Sequence, residues 1–233
     1  MTRADVCAIA CAELFRDDGE ILASPMGLLP SLGARLARAS FAPDLLLSDG
    51  EATLLAPSGE PEGWLPYRAV FDMVAHGKRH VVMGANQVDR HGNQNISCIG
   101  PHERPVRQLL GFRGAPGNTV NHRTSYWVPR HSPRVFVSEV DVVSGVGYSR
   151  DGGPYHDVHR VVTNLAVLDF GGPQHTMRLV SVHPGVGVDD VVAQTGFPLD
   201  VDGCVITRSP SADELRLLDS LDPAGQRERE VPS

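Results

Sequence analysis

Gln87 and Asp89 stand two residues apart just after the apolar run 80–83 (HVVM), and on an extended segment that spacing turns both side chains to one face. There a glutamine amide can donate to a carbonyl oxygen while an aspartate orients it or a water, which suits chemistry that develops negative charge on oxygen. The competing use is local, with Asp89 and Asn93 capping the turn at His91-Gly92-Asn93; for Asn93 and Asn95 turn-making is the favoured reading. Gly111, Gly114 and Gly117 follow Leu109-Leu110 at intervals of three, a spacing that lets a backbone pass close to a bound group or simply makes a flexible loop. Arg104, Arg107 and Arg113 flank this loop, where a solvated basic edge or partner contacts are favoured over phosphate binding. His156 and His159 lack a placed third ligand, and a loop surface is expected for them. Cys7 and Cys11 share a helical face without a local histidine or second cysteine pair and read as small core residues, so neither a metal nor a disulfide is expected.

The elements that must position these groups alternate in type. Helical spacing of Val6, Ile9, Ala10, Leu14 and Phe15 ends at Asp17-Asp18-Gly19, the stretch 19–24 reads as a strand, and 28–39 returns to helical spacing. The continuous run 44–48 (DLLLS) predicts a strand covered on both faces. A helix over 67–76, a strand over 80–83, strands over 134–140, 161–170 and 176–182, and helices over 188–194 and 212–221 complete the order, with a hairpin at Gly171-Gly172-Pro173. The fold class this implies is α/β, an open, mainly parallel sheet flanked by helices, as one domain over 1–226 with a charged, frayed tail over 227–233.

The chain of 233 residues carries a formal charge of −7 without a long Lys/Arg run, which argues against nucleic-acid and anionic-membrane partners. No stretch reaches the roughly 20 apolar residues of a membrane span. The first residues carry Asp5 and Glu13 inside their apolar pattern, unlike a secretory core, and a cytoplasmic location is expected.

The segment 84–97 (GANQVDRHGNQNIS) is similar to the G-x-Q-[IV]-D-x-x-G-N-x-N signature of β subunits in the glutaconate-type class I coenzyme A transferases. The stretches 111–117 (GFRGAPG), 145–147 (GVG), 194–200 (QTGFPLD) and 221–223 (LDP) follow in that family's order, so the likeness spans nearly the whole chain. Transferases of the family use a glutamate in a V-E-S-G-like turn, which attacks the acyl-CoA carbonyl to give an anhydride and then a glutamyl thioester. The corresponding turn here is Leu47-Ser48-Asp49-Gly50, with Ser48 in the glutamate's place. A hydroxyl cannot carry out that carboxylate exchange. Asp49 and Glu51 are the nearby carboxylates, the first one position late and a methylene shorter, the second three positions late.

With that loss, the chain most resembles a branch of the family, the two-subunit hydrolases that open the last steroid ring. The resemblance implies hydrolytic C–C cleavage of a cyclic β-keto acyl-CoA, an α-type partner subunit that supplies the acid/base glutamate, and an α2β2 heterotetramer. It implies no cofactor, coenzyme A being part of the substrate, and it marks Ser48, Asp49, Gln87, Asp89, Gly111, Gly114 and Gly117 as substrate- or CoA-binding residues with no certain catalytic residue in this chain. A true CoA transferase using Asp49 or Glu51 and a non-catalytic scaffold subunit are the alternatives. Ser48, the Gln87–Asp89 segment and the Gly111–Gly117 loop are expected to converge at one sheet edge.

Overall fold

The computed structural model describes residues 1–231. Its strands are β1 (Leu22–Pro25), β2 (Leu46–Ser48), β3 (Thr53–Leu55), β4 (Pro61–Trp64), β5 (Arg79–Gly84), β6 (Gln87–Val88), β7 (Gln94–Asn95), β8 (Cys98–Ile99), β9 (Arg107–Gln108), β10 (Arg123–Val128), β11 (Asp157–Thr163), β12 (Ala166–Asp169), β13 (Arg178–Val182) and β14 (Val205–Ile206). The helices are α1 (Arg3–Glu13), α2 (Leu28–Ser40), α3 (Tyr67–His76), α4 (Ala115–Asn121), α5 (Val188–Ala193), α6 (Ala212–Leu221) and α7 (Arg227–Glu230).

A ten-stranded sheet in the order β14-β13-β12-β11-β10-β5-β1-β2-β3-β4 forms the centre of the chain. The inner strands β2, β1, β5, β10 and β11 run parallel, and antiparallel hairpins extend both ends, β2-β3-β4 on one side and β11-β12-β13 on the other. Alternation along the strands builds two cores. Leu47, Val82, Trp127 and Val162 face α1 and α2, whereas Val81, Met83, Tyr126, Val128 and Val161 face the opposite side, where Ala115 of α4 packs.

Residues 4–12 of α1 are all buried, so this helix runs through the core rather than over it. Small residues permit that: a Cβ on Gly33 of α2 would stand 2.7 Å from the Cys11 Cβ. Cys7 and Cys11 sit here as apolar packing groups, and burial pushes the Cys7 thiol up to about 12. Thr2 and Asp5 close the amino end of α1 with a reciprocal capping pair, Thr2 Oγ1 accepting from Asp5 N and Asp5 Oδ2 accepting from Thr2 N.

Four expectations change. The stretch 134–140 is not a strand: the chain turns at Ser132, whose carbonyl accepts from Val135 N and Phe136 N, and only Val88 pairs with it. The stretch 161–170 breaks at Asn164-Leu165 into β11 and β12, because the Thr163 hydroxyl accepts from the amides of Leu165 and Ala166 and turns the chain. The run 44–48 is covered on both faces only in part, since β2 lies beside the hairpin edge and leaves Leu46 48% exposed. The tail does not fray at Arg227. Its buried guanidinium meets Asp5 at 2.9 Å, Asp219 at 2.5 Å and Asp222 at 3.3 Å; Ser233, the last residue of the expected tail, lies outside the described residues.

Candidate functional site at the carboxyl ends of the parallel strands

Ser48 ends β2, level with Ser24 of β1 through the Ala23↔Leu47 register, and is only 5% exposed. Its hydroxyl donates to Ala23 O at 2.9 Å and accepts from Gly50 N at 3.2 Å. Gly50, at φ +87°, makes the turn possible, since a Cβ there would lie 2.3 Å from Pro25 O. Asp49 is exposed, and its Oδ1 accepts from Glu51 N at 2.8 Å and Thr53 N at 3.0 Å. Partial burial works to raise the Asp49 carboxyl, but hydrogen bonds from Thr53, Glu51 and Ala52 outweigh it and hold the group below its ordinary value. Glu51 is exposed in the same turn.

Gln87 and Asp89 are both buried, and they do not share a free binding face. The Gln87 Oε1 accepts from Asn95 Nδ2 at 2.7 Å and Asp141 N at 3.0 Å, while Nε2 donates to Asp141 Oδ2 at 3.1 Å. Asp89 caps the following turn, accepting from His91 N, Asn93 N and Asn93 Nδ2 within 3.1 Å. The local alternative thus accounts for every one of these Asp89 contacts. Asn93 reaches further, its Oδ1 accepting from Gly147 N and its Nδ2 donating to Ser149 Oγ; a Cβ on Gly147 would collide with the His91 carbonyl at 2.2 Å. Asp89 still borders open space, a cleft of about 480 Å³ between the 89–93 turn, Ser138–Val140 and Gly196–Pro198.

The glycine triplet divides. Gly111, at φ +93°, donates its amide to Ile96 O at 3.0 Å and has open space where a side chain would go. Gly114 caps α4. Gly117 lies inside α4 and faces α3, where a Cβ would come within 2.5 Å of Val74 Cγ1. Only the first of the three has the open approach expected of a ligand loop. The Gln87 and Gly111 segments are joined through Ile96, Ser97 and Asn95, whereas Ser48 is separated from β5 by β1 alone, about 10 Å at ordinary strand spacing. Arg104, Arg107 and Arg113 are exposed beside the bare side chains of Val106 and Leu110.

Sequence spacing carries no signal for Asp141. Its carboxylate accepts from both Gln87 Nε2 and Gly100 N, so it fixes the amide that a carbonyl would meet. It stands one residue past the stretch 134–140, whose alternating apolar residues mask its loop position. At the opposite end of the sheet the chain contains an acid–imidazole–hydroxyl series that sequence spacing does not reveal. Asp18 Oδ2 lies 2.6 Å from His80 Nδ1, and His80 Nε2 lies 3.0 Å from Ser125 Oγ. His159 packs against the His80 ring and is held down to about 4, chiefly by burial; its pair-mate His156 bonds Val146 O instead, so the two do not act as a ligand pair.

Comparison with known proteins matches this geometry to a defined group. No family model matches the chain. Over its full length it is 57% identical to the cholesterol ring-cleaving hydrolase IpdB subunit of Mycobacterium tuberculosis, covering 99% of that protein, and over 99% of its length it is 55% identical to the IpdB subunit of Rhodococcus jostii, covering 96%. It superposes on a chain of the Rhodococcus jostii IpdAB crystal structure with a TM-score of 0.95, covering 100% of this chain and 99% of that one at 54% identity. A glutaconate coenzyme A-transferase of Acidaminococcus fermentans shares the fold, with a TM-score of 0.81 over 94% of each chain at 22% identity. This chain therefore belongs to the family of cholesterol ring-cleaving hydrolase IpdB subunits, built on the class I coenzyme A transferase fold.

Proposed function

We propose that the chain is the β-type half of a two-subunit hydrolase that opens the last steroid ring of a cyclic β-keto acyl-CoA in cholesterol degradation. The observation that carries this reading is identity of 57% along the full length to a protein named for cholesterol ring cleavage. The partner is an α-type chain, in keeping with the IpdAB structure, and we assign the assembly an α2β2 stoichiometry. No helix among the described residues is long and apolar enough to cross a membrane, and we place the complex in the cytoplasm.

Hydrolytic C–C cleavage of a β-keto thioester adds water to the ring ketone. The bond from that carbon to the thioester α-carbon then breaks, its electron pair passes into the thioester enolate, and a proton returns to the α-carbon. No cofactor is consumed; coenzyme A enters as part of the substrate. The step needs a base for the water, which we assign to a glutamate of the partner, and donors for the enolate oxygen. In this chain we assign the donor to the second N–H of the Gln87 amide, the one not taken by Asp141, with the Ser48–Gly50 turn and the open backbone at Gly111, whose own donors are bonded internally, as the walls around it. Ser48 offers no carboxylate for an acyl anhydride, which disfavours CoA transfer.

The test is a purified α/β complex given the cyclic CoA thioester with and without a free carboxylic acid. A product heavier by one water that retains its CoA supports ring hydrolysis. CoA transfer to the free acid without ring opening supports the transferase reading and overturns ours.

A further inference from the structure

Helix α2 starts directly after the Pro25–Gly27 turn, and its cap residue Gly27, at φ +110°, has no side chain with which to accept from the helix's first free amides. The acceptor comes from the far end of the chain. Glu230 takes Leu29 N with Oε2 at 3.2 Å and Trp127 Nε1 with Oε1 at 2.7 Å, so one carboxylate spans a helix start and a strand end. A negative group at a helix amino terminus also meets the favourable end of the helix dipole. Trp127 is in register with Gly84, the last residue of β5, so the bridge lies at the same end of the sheet as Ser48. Arg227, held by Asp5, Asp219 and Asp222, fixes α7 so that Glu230 reaches this position.

Glu230 fastens the first turn of α2, which leads directly out of the Pro25–Gly27 turn on which the Ser48 turn rests. Gly50 packs against Pro25 closely enough to exclude any Cβ, and Ser48 Oγ bonds both Ala23 O and Gly50 N. We propose that Glu230 is a positioning residue for ring cleavage, acting through the Pro25–Gly27 turn to set Ser48 and Gly50. This rests on the placement of Ser48 at the reacting centre made under the proposed function.

The experiment uses the full α/β complex, with Glu230→Ala, Glu230→Gln and Ser48→Ala singly and Glu230→Ala combined with Ser48→Ala. Glu230→Ala is expected to lower kcat about tenfold with KM within about twofold, since small misplacement weighs on the reacting geometry more than on binding. Glu230→Gln, which keeps one accepting oxygen, recovers part of the rate, and the combined variant falls no further than Ser48→Ala alone. Unchanged kcat with only a lower Tm, or losses that multiply, overturns the proposal. Should Glu230→Ala not assemble, Trp127→Phe removes one donor and is expected to show the same kcat-selective loss. A wild-type complex that opens no ring sinks the functional reading instead. Hydrogen exchange then decides the positioning: Glu230→Ala must lower protection at Leu29 and Gly50 and leave α5 unchanged, and equal protection at both overturns it.

Discussion

The two ends of the central sheet carry opposite kinds of polar order. At the amino ends, Asp18, His80 and Ser125 are spaced like an acid, a base and a nucleophile, with Arg123 bonded to Asp18 at 2.9 Å, yet His80 and Ser125 are wholly buried. At the carboxyl ends, Ser48 has no imidazole beside it and only backbone partners, but loops, an open glycine backbone and a cleft surround that end. A triad is recognised by roles as well as by distances, and a nucleophile without access to substrate has no role. The amino-end series is a satisfied core network that ties the loop after α1 to β5 and β10; in open α/β sheets ligands bind at the carboxyl ends.

Breaking the amino-end network should give the largest effect, and only on stability. Asp18→Asn leaves buried His80 and half-exposed Arg123 without their shared carboxylate, although Arg123 keeps Asp157 at 2.8 Å, and losing charged hydrogen bonds of this kind costs about 3 kcal/mol. Burial works to raise the Asp18 carboxyl, but the hydrogen bond and charge of His80, with Arg123, outweigh it and hold it below its ordinary value. A depressed carboxyl stabilises the fold above the ordinary aspartate range and loses that contribution as pH falls through its folded value. Denaturant unfolding should show the loss near neutral pH, with the gap to wild type closing in strong acid, while KM and kcat of the assembled variant stay unchanged. A selective fall in kcat would mean that the sealed series takes part in chemistry.

At the carboxyl end, Ser48→Glu should lower ring hydrolysis about a hundredfold through a misplaced charge at the reacting centre. A carboxylate there also raises the pKa of a neighbouring carboxylate, so the acid limb of the pH–rate profile should move upward. Mass spectrometry of the chain after turnover shows whether the new glutamate captures CoA. A native rate and profile with no adduct would place Ser48 away from the reaction and break the contrast between the two ends.

Much of this frame is legible in sequence, and the failures have physical causes. Helix α3 falls on its expected bounds, 67–76, because Pro66 and Gly77 punctuate it and Tyr67, Val70, Phe71 and Val74 keep a helical stripe. The central strand β10 escapes detection because Thr124 and Ser125 interrupt its apolar signal, and both are fully buried only because Asn118 O and His80 satisfy them. The motif 84–97 identifies the family, but most of its polar atoms hold loops together, as Asp89 and Asn93 do. Spacing shows that two side chains share a face; it does not show which partners occupy them, so Asp141 and the distant Glu230 cap were out of reach.

A smaller, pH-dependent effect comes from two histidines buried just past the carboxyl ends of β10 and β13. Burial holds His131 down to about 3 and His183 to about 4, both with hydroxyl partners and no carboxylate. A histidine kept neutral in the fold stabilises it in full above pH 6.5, and the contribution is lost progressively as pH falls toward the folded values, because the unfolded chain takes up the proton first. By pH 5 each group costs up to about 2 kcal/mol. Denaturation midpoints should therefore fall between pH 7 and pH 5, and less steeply in His183→Gln, whose replacement does not titrate there. An equal slope in the variant would mean that His183 is protonated inside the fold.

The smallest expected effect distinguishes a ligand loop from a packing contact within one glycine triplet. Gly111 adopts φ +93° with open space at its missing Cβ, so Gly111→Ala introduces backbone strain of about 1 kcal/mol and little collision. Gly117 has ordinary helical backbone, but its added methyl would stand 2.5 Å from Val74 Cγ1, on a β-branched helical side chain that is stiff at χ1. Gly117→Ala gains helix propensity of up to about 1 kcal/mol against crowding of about 1–3 kcal/mol, and the net change should be destabilising by up to about 2 kcal/mol. If the Gly111 backbone approaches the thioester, Gly111→Ala should raise KM for the CoA substrate a few-fold while Gly117→Ala leaves it unchanged. Equal KM values in the two variants would assign the whole triplet to packing and confine the carboxyl-end site to the Ser48 turn and the amide of Gln87.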